Sequence, residues 1–322
     1  GIEPWELRAT GDHIDGLHGV IWAEDRYYAS MTTENGNEIY ALSPDGDILG
    51  SFEQPSDGGE TMLDLAWDGE YIWGSGEFWL FGFTPDGRER ARFRGVGDVN
   101  VGLAWDSENE WLWSTSAVID DPIRSFNRRG DRQVAFDNPG IDIKGLAYWA
   151  DDPDGYNLYA YYDAPEGGLG VSKMNTENGE FVDVGVLNPE GGGTAAGATI
   201  TNRYFPMNDV FISVAATDEG GRVDIWQLAA SQSWMSFGPD QGIIQPEDSQ
   251  IINFSFNSAG ALDGLYSGEF VVEHNAAGGE EVIPVRMQVV EEAIHTTKRI
   301  NLTSSWNLVS MNLQPDNENV GF

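Results

Sequence analysis

The sequence predicts an all-β protein in which a five-bladed β-propeller is followed by an immunoglobulin-like β-sandwich. Two observations predict this architecture. A unit of about 40 to 50 residues recurs along residues 1–230, which is the period of a four-stranded propeller blade. From Trp234 onwards the repeat gives way to alternating strand patterns without helical periodicity. The expected domains are the propeller over residues 1–230, the sandwich over 231–292, and a linker with the truncated start of a further β-domain over 293–322.

Four copies of the repeat open with a short apolar run that ends in an aromatic residue. These marker aromatics are Trp22, Trp67, Trp105 and Tyr148, at spacings of 45, 38 and 43 residues. A second aromatic strand, a third strand, a glycine-containing turn and a short outer strand follow each marker, as a blade requires. Aromatic residues at blade spacing are expected to pack between the sheets. Aromatics in irregular loops are the exceptions to inspect, namely Phe78, Trp79 and Trp149.

A fifth copy is weaker and has three strands, over residues 196–200, 210–214 and 223–228. Residues 5–10, just before the first blade, are expected to supply its missing outer strand. Sharing the last blade between the two ends of the chain would close the ring by backbone hydrogen bonds and leave no long unpaired edge. A sixth blade would need another copy, which is absent unless the protein extends upstream of Gly1.

Charge is the strongest anomaly of the composition, because 53 acidic residues face 17 Lys and Arg and the formal net charge is -36. A field of this sign repels nucleic acid and anionic membrane surfaces. It is typical of a solvated, halophile-like surface, and it also permits cation binding. The sequence has no cysteine, which excludes disulfides and thiolate chemistry. No uncharged apolar run of 18 residues occurs, so membrane insertion is not expected, and a signal peptide is either absent or already removed.

The segment 231–290 carries short motifs of a known kind of β-domain. It contains a Trp near its start, the strand Gly264-Leu265-Tyr266-Ser267-Gly268, and a closing strand with Pro284-Val285 followed by Val289. These motifs resemble the immunoglobulin-like repeats of exported bacterial proteins, of the BACON or ASPM/SPD-2/Hydin type. Pro246-Glu247 stands where those repeats more often have Pro-Gly. The resemblance implies a sandwich in a secreted multidomain protein.

Two further resemblances concern the chain end and the blades. Residues 302–310, with Trp306-Asn307-Leu308-Val309-Ser310, resemble the opening of small β-domains in secreted bacterial proteins, although Ser305 replaces a glycine. The blade motif Gly102-Leu103-Ala104-Trp105-Asp106 resembles secreted propellers of the NHL and glutamine-cyclotransferase-like group. Together they imply an extracellular or cell-surface location, with self-association possible through the C-terminal β-domains. At the level of repeats, the propeller resemblance implies no particular reaction.

The candidate site residues lie at the start of the innermost strand of each blade, because in a propeller these positions come together at one mouth of the central channel. Seven residues before the first three markers lie Asp15, Glu60 and Asp98, and the fourth blade has Asp142 one residue later. Converging carboxylates suit Ca²⁺, so this set is a candidate metal site, and the alternative is that these residues are hydrated acids of turns. Closer to the strands lie the candidate residues of a ligand site at the mouth: His18, Asp64, Asn100 and Lys144. The acidic loop 151–155 lacks the later ligands of a calcium loop and is predicted to be a turn.

Two functions from different classes fit this sequence. The first is a non-catalytic recognition or assembly module of a large secreted or surface protein, of adhesion, matrix or filament type, which binds extracellular proteins or glycans and could be stabilised by a cation. The alternative is a carbohydrate-active propeller hydrolase with appended binding modules. A hydrolase should have a deep mouth with converging, partly buried carboxylates, whereas a platform should have a shallow or plugged channel. Of the four histidines only His18 has a place suited to chemistry, and no Gly-x-Ser-x-Gly motif is present.

Overall fold

The computed structural model describes residues 5–11, 13–56, 59–205, 208–230, 235–239, 242–243, 249–257, 264–274, 279–289 and 297–302. The regular elements in these ranges are all β-strands. The chain divides into two compact units, one of residues 1–204 with 210–228 and the other of residues 205–209 with 229–322. A search of the described ranges found no helix long and apolar enough to cross a membrane.

The first unit is a propeller of five four-stranded antiparallel sheets, which confirms the predicted fold. Blade 1 has β2 (Leu17–Ala23), β3 (Arg26–Thr33), β4 (Gly36–Leu42) and β5 (Ile48–Glu53). Blade 2 has β6 (Leu65–Trp67), β7 (Ile72–Ser75), β8 (Trp79–Phe83) and β9 (Glu89–Arg94). Blade 3 has β10 (Asn100–Asp106), β11 (Trp111–Ser116), β12 (Ile123–Phe126) and β13 (Arg132–Phe136). Blade 4 has β14 (Ile143–Tyr148), β15 (Leu158–Asp163), β16 (Leu169–Met174) and β17 (Phe181–Leu187).

The fifth blade is completed by the N-terminal strand, as predicted. It consists of β18 (Thr194–Phe205), β19 (Asn208–Thr217), β20 (Gly220–Ala230) and β1 (Glu6–Thr10), with β1 antiparallel to β20. Beside this junction the buried guanidinium of Arg222 binds the Asp224 carboxylate at 2.8 to 3.1 Å and the carbonyl oxygens of Glu190 and Gly192 at 3.0 and 2.8 Å. Thr10 Oγ1 on β1 donates to Asp224 Oδ1 at 3.1 Å. The ring is therefore closed by backbone pairing of β1 with β20 and by the hydrogen bond from Thr10 to Asp224, whose buried carboxylate also pairs with Arg222 of the same strand.

The aromatic residues of the repeats form the core between blades. Trp73, Trp113 and Trp226 are fully buried. Phe93 of blade 2 lies between Trp73 of its own blade and Phe126 of blade 3, at ring-centroid distances of 5.5 and 5.4 Å. The predicted packing role of the aromatic stripes is confirmed.

Buried carboxylates organise the turns between the first and second strands of three blades. They are Asp68, Asp106 and Asp152. In blade 2, Asp68 Oδ1 accepts from two backbone N–H groups of its own turn, while its Oδ2 accepts from Trp73 Nε1 at 2.8 Å. In blade 4, Asp152 binds turn N–H groups and Lys173 Nζ. The loop 151–155 is thus an inter-strand turn, as predicted, and its buried carboxylate is bound by protein donors.

The second unit contains two sheets around one core. The first sheet has the order β21 (Met235–Gly238), β22 (Gln250–Phe256), β25 (Thr297–Leu302), and the second pairs β23 (Gly264–Glu273) with β24 (Glu280–Val289). Buried side chains from both sheets share the core: Phe254, Phe256, Phe270, Val285, Met287 and Val289. Two sheets on a common apolar core form a sandwich, as predicted. The immunoglobulin-like topology stays a prediction.

The C-terminal boundary of this sandwich differs from the predicted one. Residues 293–322 were predicted to lie outside it, but β25 pairs with β22 in register, with Thr297 opposite Ser255 and Leu302 opposite Gln250. The reason is backbone pairing, because an added strand satisfies the open edge of β22, which short side-chain motifs do not reveal. Residues 303–322, on which the further β-domain was predicted, lie outside the described residues.

Candidate functional site

One position in the innermost strand is equivalent in all five blades. It lies three residues before the marker aromatics and before Ile200 in blade 5, and its residues are Gly19, Asp64, Gly102, Gly145 and Gly197. At this level the strands approach too closely for side chains. A Cβ on Gly197 would lie 2.7 Å from both Gly19 Cα and Asp64 Oδ1, and a Cβ on Gly145 would lie 2.6 Å from the carbonyl oxygen of Ala196. Four blades therefore have glycine here, and blade 2 supplies the one side chain.

That side chain, Asp64, is fully buried and binds four blades at once. Its Oδ1 accepts from the N–H groups of Leu65 at 3.0 Å and Ala198 at 3.1 Å, in blades 2 and 5. Its Oδ2 accepts from Leu103 at 2.9 Å and Leu146 at 3.0 Å, in blades 3 and 4. The carboxylate closes the propeller axis at this level and has no position left for a ligand.

The electrostatics of Asp64 set two effects against each other. Complete burial raises the pKa of the carboxyl, while the four N–H donors oppose this rise because they favour the charged form. Both oxygens already accept two N–H groups each, so the hydrogen of a neutral carboxyl would point at another donor. The hydrogen bonds fit the ionised form. The prediction that Asp64 belongs to a ligand site is therefore corrected, because its oxygens are saturated and inaccessible.

Asn100 and Lys144, two further predicted mouth residues, are also engaged by the protein. Asn100 is fully buried, and its Nδ2 donates to the carbonyl oxygens of Gly76 and Glu77 at 3.0 and 2.9 Å. Its Oδ1 accepts from Val96 N at 2.8 Å. The side chain thus joins the entry of blade 3 to a turn of blade 2. Lys144 forms an ion pair of 2.8 Å with Asp142, and both side chains are partly exposed.

His18 is the predicted mouth residue that stays half-buried and polar. Its Nε2 lies 3.0 Å from Thr32 Oγ1. Thr32 and Thr61 each donate to Asn37 Oδ1 at 2.9 Å. The Thr32 hydroxyl also lies 3.0 Å from Thr61 Oγ1, so which atom donates between His18 and Thr32 depends on the tautomer of the ring. Burial lowers the pKa of His18 from its ordinary value of 6.5, so the ring is neutral at neutral pH.

The predicted metal set is not gathered into one cluster. Asp15, Asp98 and Asp142 are exposed, and Glu60 is half-buried. Asp98 pairs with Arg94 at 3.4 Å. Within the ranges that the structure describes, no group of three or more His, Asp or Glu side chains could hold a metal ion. Counting back an equal number of residues assumed equal connections between blades, but the connections 54–64 and 95–99 differ in length. Calcium binding stays a prediction without a formed site.

The three loop aromatics have different surroundings. Trp149 is 9% exposed and packs near Tyr159, and Trp79 is half-buried at the start of β8. Phe78, in the turn before β8, is 40% exposed. In the next blade Val118 and Ile119 occupy the equivalent turn and are 53% and 40% exposed. The sequence pattern indicates Phe78 as a loop aromatic but gives no sign of Val118 and Ile119, because a sequence does not show which loops are neighbours.

Comparison with known proteins yields the fold and nothing finer. No family model matches the chain, and no curated protein matches it. The structure is similar to that of Myxococcus xanthus glutaminyl cyclase, with a TM-score of 0.50 and 15% identity over 70% of this chain and 97% of that chain. At this identity the likeness shows the fold alone. The chain is a β-propeller protein of the five-bladed class.

Two further similar structures were found. A chain of the mitotic checkpoint complex has a TM-score of 0.42 and 14% identity over 65% of this chain and 63% of that one. Kuenenia stuttgartiensis hydrazine synthase has a TM-score of 0.43 and 12% identity over 78% of this chain and 67% of that one. This chain thus spans less than two thirds of the checkpoint chain.

Proposed function

We propose that the chain is a non-catalytic recognition or assembly module of a large secreted or cell-surface bacterial protein. The observation that carries the proposal is the closed axis. The buried carboxylate of Asp64 takes hydrogen bonds from four blades, and glycines bring the inner strands together around it. A plugged channel favours a rigid platform, whereas a hydrolase is expected to have a deep mouth with converging, partly buried carboxylates.

The groups around the mouth support the same function. Asn100 is bound to backbone, Lys144 is paired with Asp142, and His18 is hydrogen-bonded to a hydroxyl rather than to a carboxylate. Hydrolysis of a glycoside needs two carboxyl groups on either side of the scissile bond, about 5 to 9.5 Å apart, with one of them protonated. Apart from the buried and saturated Asp64, the predicted acids at this mouth lie in turns and connections, where Asp15, Asp98 and Asp142 are exposed and Glu60 is half-buried.

Location and partners rest on the resemblances and on the charge. The propeller and sandwich resemble modules of exported bacterial proteins, which suggests an extracellular or surface location. The partners proposed are other extracellular proteins or glycans, and the net charge of -36 opposes nucleic acid and anionic membranes. A bound cation would relieve part of the repulsion between carboxylates.

The test compares turnover with binding on the full chain. Hydrolysis is measured on a panel of polysaccharides and chromogenic glycosides with and without Ca²⁺, for the natural chain and for His18→Ala and Asp142→Asn. In parallel, binding is measured against a glycan array and a displayed library of extracellular protein domains. We expect saturable binding by at least one member and no turnover.

Turnover that falls in either mouth variant would overturn the proposal, because the mouth would then be catalytic. A chain that neither binds nor turns over would contradict it as well. Binding that is unchanged in His18→Ala and Asp142→Asn would support a recognition surface outside the mouth.

A further inference from the structure

The face of the propeller around the mouth is uneven in one respect. This entry face holds the connections between blades and the turns between the second and third strands of each blade. In blades 1, 4 and 5 these turns are polar or glycine-rich, over residues 34–35, 164–168 and 218–219. In blades 2 and 3 they carry Phe78, Val118 and Ile119, which are 40%, 53% and 40% exposed. Exposed large apolar side chains on this face are thus concentrated on two neighbouring blades.

Hydrogen bonds show that the two turns flank one connection. Gly95 N donates to the carbonyl oxygen of Phe78 at 3.0 Å, at the start of the connection from blade 2 to blade 3. At its other end, Ala117 N donates to the carbonyl oxygen of Val99 at 2.9 Å. The turns at 76–78 and 117–121 therefore border the same short segment. We call Phe78, Val118 and Ile119 the apolar patch.

The fold covers these three side chains only in part. Among the apolar clusters of the described residues, none includes these three side chains, although their neighbours Trp79 and Ile123 each belong to one. Single exposed apolar residues are common, whereas larger contiguous exposed apolar surface is typical of interaction sites. A polar residue at each position would cost the fold little.

The rim of the patch is acidic. Glu77, Asp98 and Asp120 are exposed and Asp121 is half-buried, all in the two turns or the connection between them. The cation beside the patch is Arg94, whose Cζ lies 5.5 Å from the Phe78 ring centroid and whose Nη2 lies 3.4 Å from Asp98. Arg94 thus already makes the kind of contact that a cation of a partner would make here, with its guanidinium over an aromatic ring and beside a carboxylate.

We infer that the apolar patch and its acidic rim dock a basic, apolar peptide segment of another protein, with Arg or Lys alternating with aliphatic or aromatic residues. Apolar side chains of the segment cover Phe78, Val118 and Ile119, and its cations pair with the rim. Charge complementarity selects this partner over an acidic or neutral one. The inference rests on the proposed recognition function and assigns it a surface and a class of partner.

The experiment uses a fluorescent synthetic peptide that alternates arginine and leucine, with anisotropy measured on the full chain at low and at physiological salt. Comparison peptides alternate arginine with glycine and glutamate with leucine. The triple variant Phe78→Ser/Val118→Ser/Ile119→Ser should bind about tenfold more weakly, the loss expected when interface anchors are removed. Its matched control is Ile48→Ser/Leu49→Ser, at two residues of the outer strand of blade 1 that are 67% and 56% exposed.

A second pair of variants tests the rim without touching the apolar contacts. Glu77→Gln/Asp120→Asn should weaken binding and reduce its dependence on salt, because two carboxylates at the patch are lost. Glu34→Gln/Glu166→Gln removes the same charge from exposed turns of blades 1 and 4 and should change binding less. Thermal unfolding of every variant should match that of the natural chain, since all the changed side chains are exposed.

Several results would overturn the inference. These are unchanged binding by the triple variant, equal loss in the control variants, or equal affinity for the arginine–glycine peptide, which would show unspecific attraction to the net charge. Glycan binding that is lost only in the triple variant would identify a carbohydrate instead. A concentration-dependent dimer that the triple variant abolishes would identify a second copy of the chain. Failure here with library binding intact would leave the proposed function standing, whereas turnover would remove the proposed function and not this surface.

Discussion

The axis of the propeller and the apolar patch on its entry face differ in which side chains they bury: the axis buries a charged side chain, and the patch exposes apolar ones. At the axis a charged side chain, Asp64, is fully buried and every oxygen lone pair has a donor. On the entry face, large apolar side chains such as Val118 are half-exposed and lie outside the clusters of the core. At the axis the chain itself supplies all hydrogen-bond donors for the buried carboxylate, whereas at the patch the chain leaves apolar surface exposed to solvent.

This difference indicates which of the two regions has a role beyond the stability of the fold. A buried charge with complete hydrogen bonding is explained by the fold, because the carboxylate joins blades that glycine alone would leave with unpaired N–H groups. An exposed apolar cluster has no such explanation in the folded chain. Substitutions at the axis should therefore act on stability, and substitutions at the patch should act on binding.

The largest effect is expected from Asp64→Asn. The amide NH₂ would face two backbone N–H donors, and two unsatisfied buried donors at about 1 to 3 kcal/mol each lower the free energy of unfolding by about 2 to 6 kcal/mol. Denaturant unfolding of the purified chain measures this loss. Asp142→Asn, at an exposed carboxylate, is the control and should stay within about 0.5 kcal/mol. A neutral effect of Asp64→Asn would show that the carboxyl is protonated in the folded chain.

A somewhat smaller loss is expected from Gly145→Ala. The added Cβ would lie 2.6 to 2.9 Å from backbone atoms of residues 196–198, which cannot rotate away as a side chain would. Overpacking of this kind costs about 1 to 3 kcal/mol. Gly50→Ala is the matched control, because a Cβ there meets nothing within 4 Å. Equal stability of the two variants would mean that the inner strands are not in close contact.

The stability contributions of the surface charges and of the axis should differ in their dependence on salt. With a net charge of -36, raising KCl from low to molar concentration should raise the melting temperature, because the Debye length falls from about 30 Å at 0.01 M to about 3 Å at 1 M. The loss caused by Asp64→Asn should change little over the same range, since buried hydrogen bonds are screened weakly. A melting temperature that does not rise with salt would exclude self-repulsion as the main effect of the charge.

The smallest effect on stability is expected at His18, whose half-buried side chain is intermediate in exposure between Asp64 and the apolar patch. Burial lowers its pKa in the folded chain, so the unfolded chain binds the proton at higher pH. Its contribution to stability is therefore present above pH 6.5 and is lost as the pH falls through the lowered value. Titration of the ring by NMR should give a midpoint below 6.5, and His18→Gln should flatten the acid side of the stability profile. A midpoint above 6.5 would contradict burial as the main influence on the pKa of His18.

The sequence predicted the propeller well because the repeat is local in origin. Each blade is a consecutive run of four strands, so markers such as Trp67 and Trp105 and the turn glycines report it directly. The closing role of residues 5–10 followed from the missing fourth strand of the last blade. The C-terminal boundary was wrong at β25, because strand pairing between residues 250–256 and 297–302 is distant in sequence.

The candidate site was predicted less well, for a physical reason that Asp64 illustrates. Its place in the repeat showed that it enters an inner strand, but a carboxylate there could equally line an open mouth or plug a closed axis. The distance between inner strands decides this, and that distance depends on glycines in four other blades. The sequence by itself determined the all-β class, the repeated blades of a propeller and the strongly acidic composition, because the repeat period and the charge can be read from consecutive residues. Only the tertiary structure decided that the axis is closed and that the apolar turns of blades 2 and 3 are neighbours, because both depend on contacts between segments far apart in the chain.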